Sequence, residues 1–81
     1  MNLVVLSPEQ EVFVGEVSSV RVPGTSGSFE ILNHHAALVS SLKAGEVRII
    51  DGSGNRTSYQ IDGGFIEVLN NKVSVLVQGV Q

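Results

Sequence analysis

The residues whose types and spacing most invite a chemical reading lie in one stretch, VPGTSGSFEILNHHAAL, from Val22 to Leu38. His34 and His35 are the only histidines. Zinc would need two or three further N, O or S ligands, and Glu30 is the only acidic residue close by in sequence. Adjacent residues of an extended chain also point to opposite faces, so the pair is poorly placed to chelate one ion. Ser28, His35 and Asp62 could be assembled into a Ser-His-Asp set on paper. Without a G-x-S-x-G elbow that grouping has no specificity. PGTSG is glycine-rich but lacks the Lys-Ser/Thr ending of a phosphate loop, and no helix follows it. Lys43 in SLKAG suggests a carrier domain that displays one lysine at a hairpin tip. Its neighbours Leu42 and Ala44 are not the Asp or Met that such a lysine keeps beside it. The residues are better read as turns and contact surface than as ligands or nucleophiles, with no cofactor and no metal.

The elements that must position these residues are strands. Valine and isoleucine are abundant, nine glycines punctuate the chain, and apolar residues alternate with polar ones in short runs. NLVVLS, QEVFVGEVSSVRVPG, GEVRIID, RTSYQID, FIEVL and KVSVLVQ read as strands. Gly15 inside the second run predicts a bulge or bend. Turn signals fall at Pro8, Pro23-Gly24, Ala44-Gly45, Asp51–Asn55, Gly63-Gly64 and Asn70-Asn71, where Asp-Gly and Asn-Asn supply positive-φ residues. HHAALVSSLKAG is the best helix candidate, with Ala37, Leu38 and Leu42 at helical spacing, but Val39 and two serines weaken it. It is read as extended, with a helical turn near Ala36. Seven to ten short strands and no helix predict an all-β, antiparallel sandwich or flattened barrel, a single domain over residues 1–81.

Composition narrows the function further. The 81 residues carry a net charge of −3, and the five Lys and Arg residues are scattered, which argues against nucleic acid. There is no cysteine, which removes thiol catalysis, thiolate zinc sites and iron–sulfur clusters. Apolar runs stop far short of the ~20 residues of a membrane span. No signal or transit segment opens the sequence. The chain reads as soluble, with any membrane association made through another protein.

With these residues in place, Val20–Ile49, VRVPGTSGSFEILNHHAALVSSLKAGEVRI, resembles the N-terminal domain of the ε subunit of rotary F-type ATP synthase, the homologue of the mitochondrial δ subunit. Pro23, Gly24, Gly27, Ile31, Leu32, His35, Ala36, Leu38, Leu42, Gly45 and Ile49 carry the resemblance, and the strands on either side extend it over essentially the whole chain. Glu30 stands where glycine is usual, and Asn33 and Ala37 where prolines are usual. Each lost proline loosens the loop by about 0.4–1 kcal/mol. The chain ends where the family's C-terminal helical hairpin begins, as a short subunit or as a fragment.

The resemblance implies a ten-stranded β-sandwich that does no chemistry. It would join the γ subunit to the c-ring in the rotor, and through γ reach the rest of F1. It would sit peripherally on the cytoplasmic side of the bacterial inner membrane, without inserting into it. Thr25, Ser26, Gly27 and Ser28 would meet the c-ring, and His35, Leu38 and Leu42 would support or form the γ-facing surface. A free-standing carrier or ligand-binding β-sandwich is the alternative.

Overall fold

A computed structural model describes all 81 residues, Met1–Gln81. Eight strands follow one another: β1 (Asn2–Leu6), β2 (Glu11–Gly24), β3 (Gly27–Leu32), β4 (Leu38–Leu42), β5 (Gly45–Asp51), β6 (Arg56–Ile61), β7 (Gly63–Leu69) and β8 (Lys72–Gln78). Hydrogen bonding runs in the order β1-β8-β7-β4-β2-β5-β6, with β3 on β2. A further β1–β2 ladder closes the first five into a ring, the flattened barrel of the sandwich. Every ladder is antiparallel except β1–β8, which is parallel and departs from the all-antiparallel expectation.

The strands number eight rather than about ten, and the 14-residue β2 serves two parts of the sheet. Its first part pairs β1, and its second part is flanked by β3 and β5, which share Ser19–Arg21 as partners. The register changes between Val17 and Ser19, where two residues of β2 oppose one of β5. Ser18 is the extra residue, and its hydroxyl donates to the carbonyls of Ile50 and Asp51, 3.1 Å from each. A bulge of this kind re-aims the side chains after it. Val17 points inward, and the inward series then resumes at Val20 and Val22 instead of Ser19 and Arg21. A second shift falls at Val12, between the Val5–Phe13 and Leu6–Glu11 pairs, and Gly15 is not a bulge, since it pairs Leu3 in regular register.

Turn chemistry accounts for the other connections. Asn70 and Asn71 both have positive φ, 51° and 61°, and make the tight β7–β8 hairpin that the Asn-Asn pair predicts. No helical turn forms at Ala36. The chain reverses one step earlier, at Asn33-His34, where His34 has φ 64° and the His35 N–H donates to the Leu32 carbonyl. Gly63 and Gly64 are not a turn either. They open β7 opposite Gln78 and Val77. A side chain on Gly64 would run into the Leu76 backbone, so glycine is needed for close strand approach.

The core lies between the layers. Leu3 and Val5 of β1, Val73, Val75 and Val77 of β8, Ile66 and Val68 of β7 and Leu42 of β4 meet Val20 and Val22 of β2, Ile31 of β3, Val47 and Ile49 of β5 and Ile61 of β6. All are aliphatic, and no buried side-chain N or O atom lacks a hydrogen-bond partner.

Candidate functional site

The two halves of the Val22–Leu38 stretch lie at opposite ends of β3. The Thr25-Ser26 turn precedes that strand and Asn33-His34 follows it, separated by six residues, or roughly 20 Å of extended chain. Asp62 adjoins the first of these ends. Gly64, two residues further on, pairs Leu42, and the Ser41 carbonyl accepts the Thr25 N–H. The His34 N–H donates to Asn71 Oδ1 at 2.8 Å, at the far end of β7 and β8. The structure does not bring Ser28, His35 and Asp62 together as a catalytic set. Both histidines are exposed, and His35 Nδ1 lies 2.8 Å from the Ala36 carbonyl. No three His, Cys, Asp or Glu residues are grouped so that they could hold a metal ion.

Thr25 and Ser26 form an exposed hairpin turn. Gly24 and Gly27 face each other below it, so closely that a Cβ on Gly24 would lie 2.6 Å from the Gly27 carbonyl oxygen and from the Phe29 ring. Ser28 belongs to β3 rather than to the turn and is also exposed. The adjacent β4–β5 turn is fixed to this hairpin by the Lys43 N–H, which donates to the Pro23 carbonyl at 2.8 Å. These small hydroxyl residues therefore stand on a rigid base.

The three departures in the loop have defined places. Glu30 projects from β3 and accepts the Ser19 hydroxyl at 2.6 Å. Asn33 lies in the turn and accepts from the Met1 amino group through Oδ1. Ala37 is exposed just before β4.

Helical spacing had grouped Leu38 with Leu42; strand geometry sends both inward. Leu38 is half-buried against the core, and Leu42 is only 5% exposed. Leu42 forms the floor beneath a surface groove. Val39, between them on the opposite face, is 70% exposed.

Val39 belongs to an apolar surface that sequence reading missed. Strand register places Ser41, Phe65, Leu76 and Leu6 in one row across β4, β7, β8 and β1, and Val39, Glu67, Ser74 and Val4 in the next. Phe65, Leu69 and Leu76 are each more than half exposed. A groove of about 640 Å³ runs from Leu6 and Pro8 past Phe65 and Leu76 to Gly63. A smaller one of about 230 Å³ lies beside it, and the two share Phe65 and Leu76. The signal was present in FIEVL and KVSVLVQ, whose strands are apolar on both faces, a pattern that implies cover on both sides.

The other layer is different outside. Its outer residues read Glu30, Arg21, Arg48 and Ser58 in one row across β3, β2, β5 and β6. The sandwich thus has one charged outer face, one apolar outer face and a small polar hairpin held between strands.

The architecture is an all-strand β-sandwich with no helix. The family model for the ATP synthase delta/epsilon chain β-sandwich domain matches residues 1–81. The chain belongs to that family. It is 42% identical over 79 residues to the ATP synthase epsilon chain of Chlorobium limicola, covering 98% of this chain and 90% of the relative. It is 45% identical over 76 residues to the ATP synthase epsilon chain of Leptospira borgpetersenii, covering 94% of this chain and 59% of that one. Its fold matches a chain of the Euglena gracilis mitochondrial ATP synthase with a TM-score of 0.91 at 21% identity, over 98% of this chain and 51% of the other. It also matches a chain of the Tetrahymena thermophila mitochondrial ATP synthase central stalk and c-ring, with a TM-score of 0.83 at 17% identity, over 99% and 64%.

Proposed function

We propose that the chain is a non-catalytic rotor component of an F-type ATP synthase, a domain over residues 1–81 that ties the γ subunit to the membrane c-ring. The observation that carries this reading is the asymmetry of the outer surface. The apolar rows of β4, β7 and β8 suit a permanent protein partner, assigned here to γ. Complete burial of an exposed valine or phenylalanine is worth about 1.5–3 kcal/mol, so covering the partly exposed Val39, Phe65 and Leu76 contributes favourably to holding a partner, before the cost of association is met. His35 and Leu38 border or support that surface, and Leu42 supports it from beneath. The Thr25–Ser28 hairpin suits the second contact, with the polar loops of the ring. Its short hydroxyls lose little side-chain entropy when fixed. A sandwich with an aliphatic core and few voids resists deformation, so torque passes from one contact to the other. The chain is then peripheral to the bacterial inner membrane, on its cytoplasmic side, and held there by the complex.

Pulling the tagged chain from a detergent extract of membranes tests the assignment. The γ and c subunits are the expected companions, in stoichiometric amounts. Recovery of the chain free of both, or with a mass increment on Lys43, overturns it in favour of a separate carrier domain.

A further inference from the structure

We infer that the small groove on the apolar face receives an arginine side chain of the docking partner, with Glu67 as its counter-ion. The inference rests on the reading of this face as the γ-docking surface and adds the chemistry of its central contact.

Glu67 is the only charged residue in the two middle rows of that surface. Register sets it between Val39 on β4 and Ser74 on β8, and along its own strand it lies between Phe65 and Leu69. The groove is lined by Val39, Phe65, Ile66, Glu67, Ser74 and Leu76. Neither the Glu67 carboxylate nor the Ser74 hydroxyl takes part in any of the chain's side-chain hydrogen bonds. The only ion pair joins the Met1 amino group to Glu16. Lys72, one row away opposite Leu69, does not reach Glu67.

Covering this face with an apolar partner alone would strip water from an unpaired carboxylate, which is costly. A partner that binds here therefore has to bring a cation. An aromatic wall beside the carboxylate selects the planar guanidinium over an ammonium. It stacks on the Phe65 ring while its fork of N–H donors reaches Glu67 and the Ser74 hydroxyl. Val39 and Leu76 line the aliphatic stem.

The test uses the complete complex, stripped of this chain and reconstituted with variants, and measures affinity across a salt series. Glu67→Gln keeps size and polarity and sits on the surface, so the fold is retained. It should weaken binding about tenfold at low salt. The parent should lose affinity as salt rises, while the variant should respond much less. Phe65→Leu, which keeps apolar area but loses the ring, should cost about threefold. Reversing the charge with Glu67→Arg should block assembly, and a γ variant with one arginine changed to glutamate should restore it. Val39→Asp reports on the underlying reading. If Val39→Asp assembles normally, this face is not the docking surface and the inference falls with it. If Val39→Asp fails while Glu67→Gln binds like the parent at every salt concentration, the face docks the partner but the arginine pairing is wrong.

Discussion

At Asp51 one carboxylate closes a turn. Its Oδ1 accepts the backbone N–H groups of Ser53 at 2.8 Å and Asn55 at 3.0 Å, and its Oδ2 accepts from the Asn55 side chain at 3.2 Å. These bonds favour the ionised form, the Asn55 backbone N–H most strongly, and hold the carboxyl below its ordinary value. A group depressed in the folded state adds stability that is fully present above the unfolded value of about 3.9 and disappears as pH falls through the lower folded value. Asp51→Ala should therefore lower the melting temperature at neutral pH, with the gap narrowing as the pH is taken below about 4. Thermal melts at a series of pH values check this. A gap that stays constant into acid would mean that the carboxylate charge does not hold the turn.

Among the elements, β7 depends on a glycine at a close approach. Gly64→Ala forces a methyl group into the Leu76 backbone and should cost roughly 3 kcal/mol, in the range of severe single substitutions. Gly52→Ala meets nothing within 4 Å and should stay within about 0.5 kcal/mol. Urea unfolding of the two variants makes the comparison; equal midpoints would show that β7 and β8 can separate at little cost. Gly64 also marks where sequence reading stops. Its pairing with Gly63 looks like a turn signal, and only the strand opposite reveals a contact. The alternating runs made most strands legible because a period of two survives in any half-buried sheet. The Ser18 bulge was not legible, because an extra residue looks like irregular patterning until its partner strand is known. Val39 was passed over for a related reason. Leu38 and Leu42 fit a helical spacing of four and a strand spacing of two equally well, and only the strand puts Val39 on the outside beside Ser41. The Thr25–Ser28 hairpin was legible because its glycines and small hydroxyls stand together in the chain.

For the whole molecule, the proposed rotor role predicts that damage at the Thr25–Ser28 hairpin uncouples assembly from folding. Ser28→Arg and the control Arg56→Glu both change exposed strand residues and should alter stability by no more than about 0.5 kcal/mol. A charge without a partner at a closed contact costs several-fold more, on the order of 2–5 kcal/mol of binding. Ser28→Arg should therefore reduce retention on the c-ring and proton-pumping coupling, while Arg56→Glu leaves both intact. Equal behaviour of the two in reconstituted membranes would remove the hairpin from the ring contact.

The parallel β1–β8 ladder has a consequence for how the protein is made. Leu3 and Val5 at the start of the domain are paired with Val73 and Val75 at its far end. The ring cannot close on the ribosome until β8 has left the exit tunnel, so β1 waits with one edge open while β2 to β8 are translated. Contacts this distant in sequence slow folding, and an open strand edge in the nascent chain is prone to pair with the wrong partner. A chain released before Val73 keeps most of its hairpins and has no last strand to close them, which makes premature termination here a source of aggregates rather than of shorter working subunits.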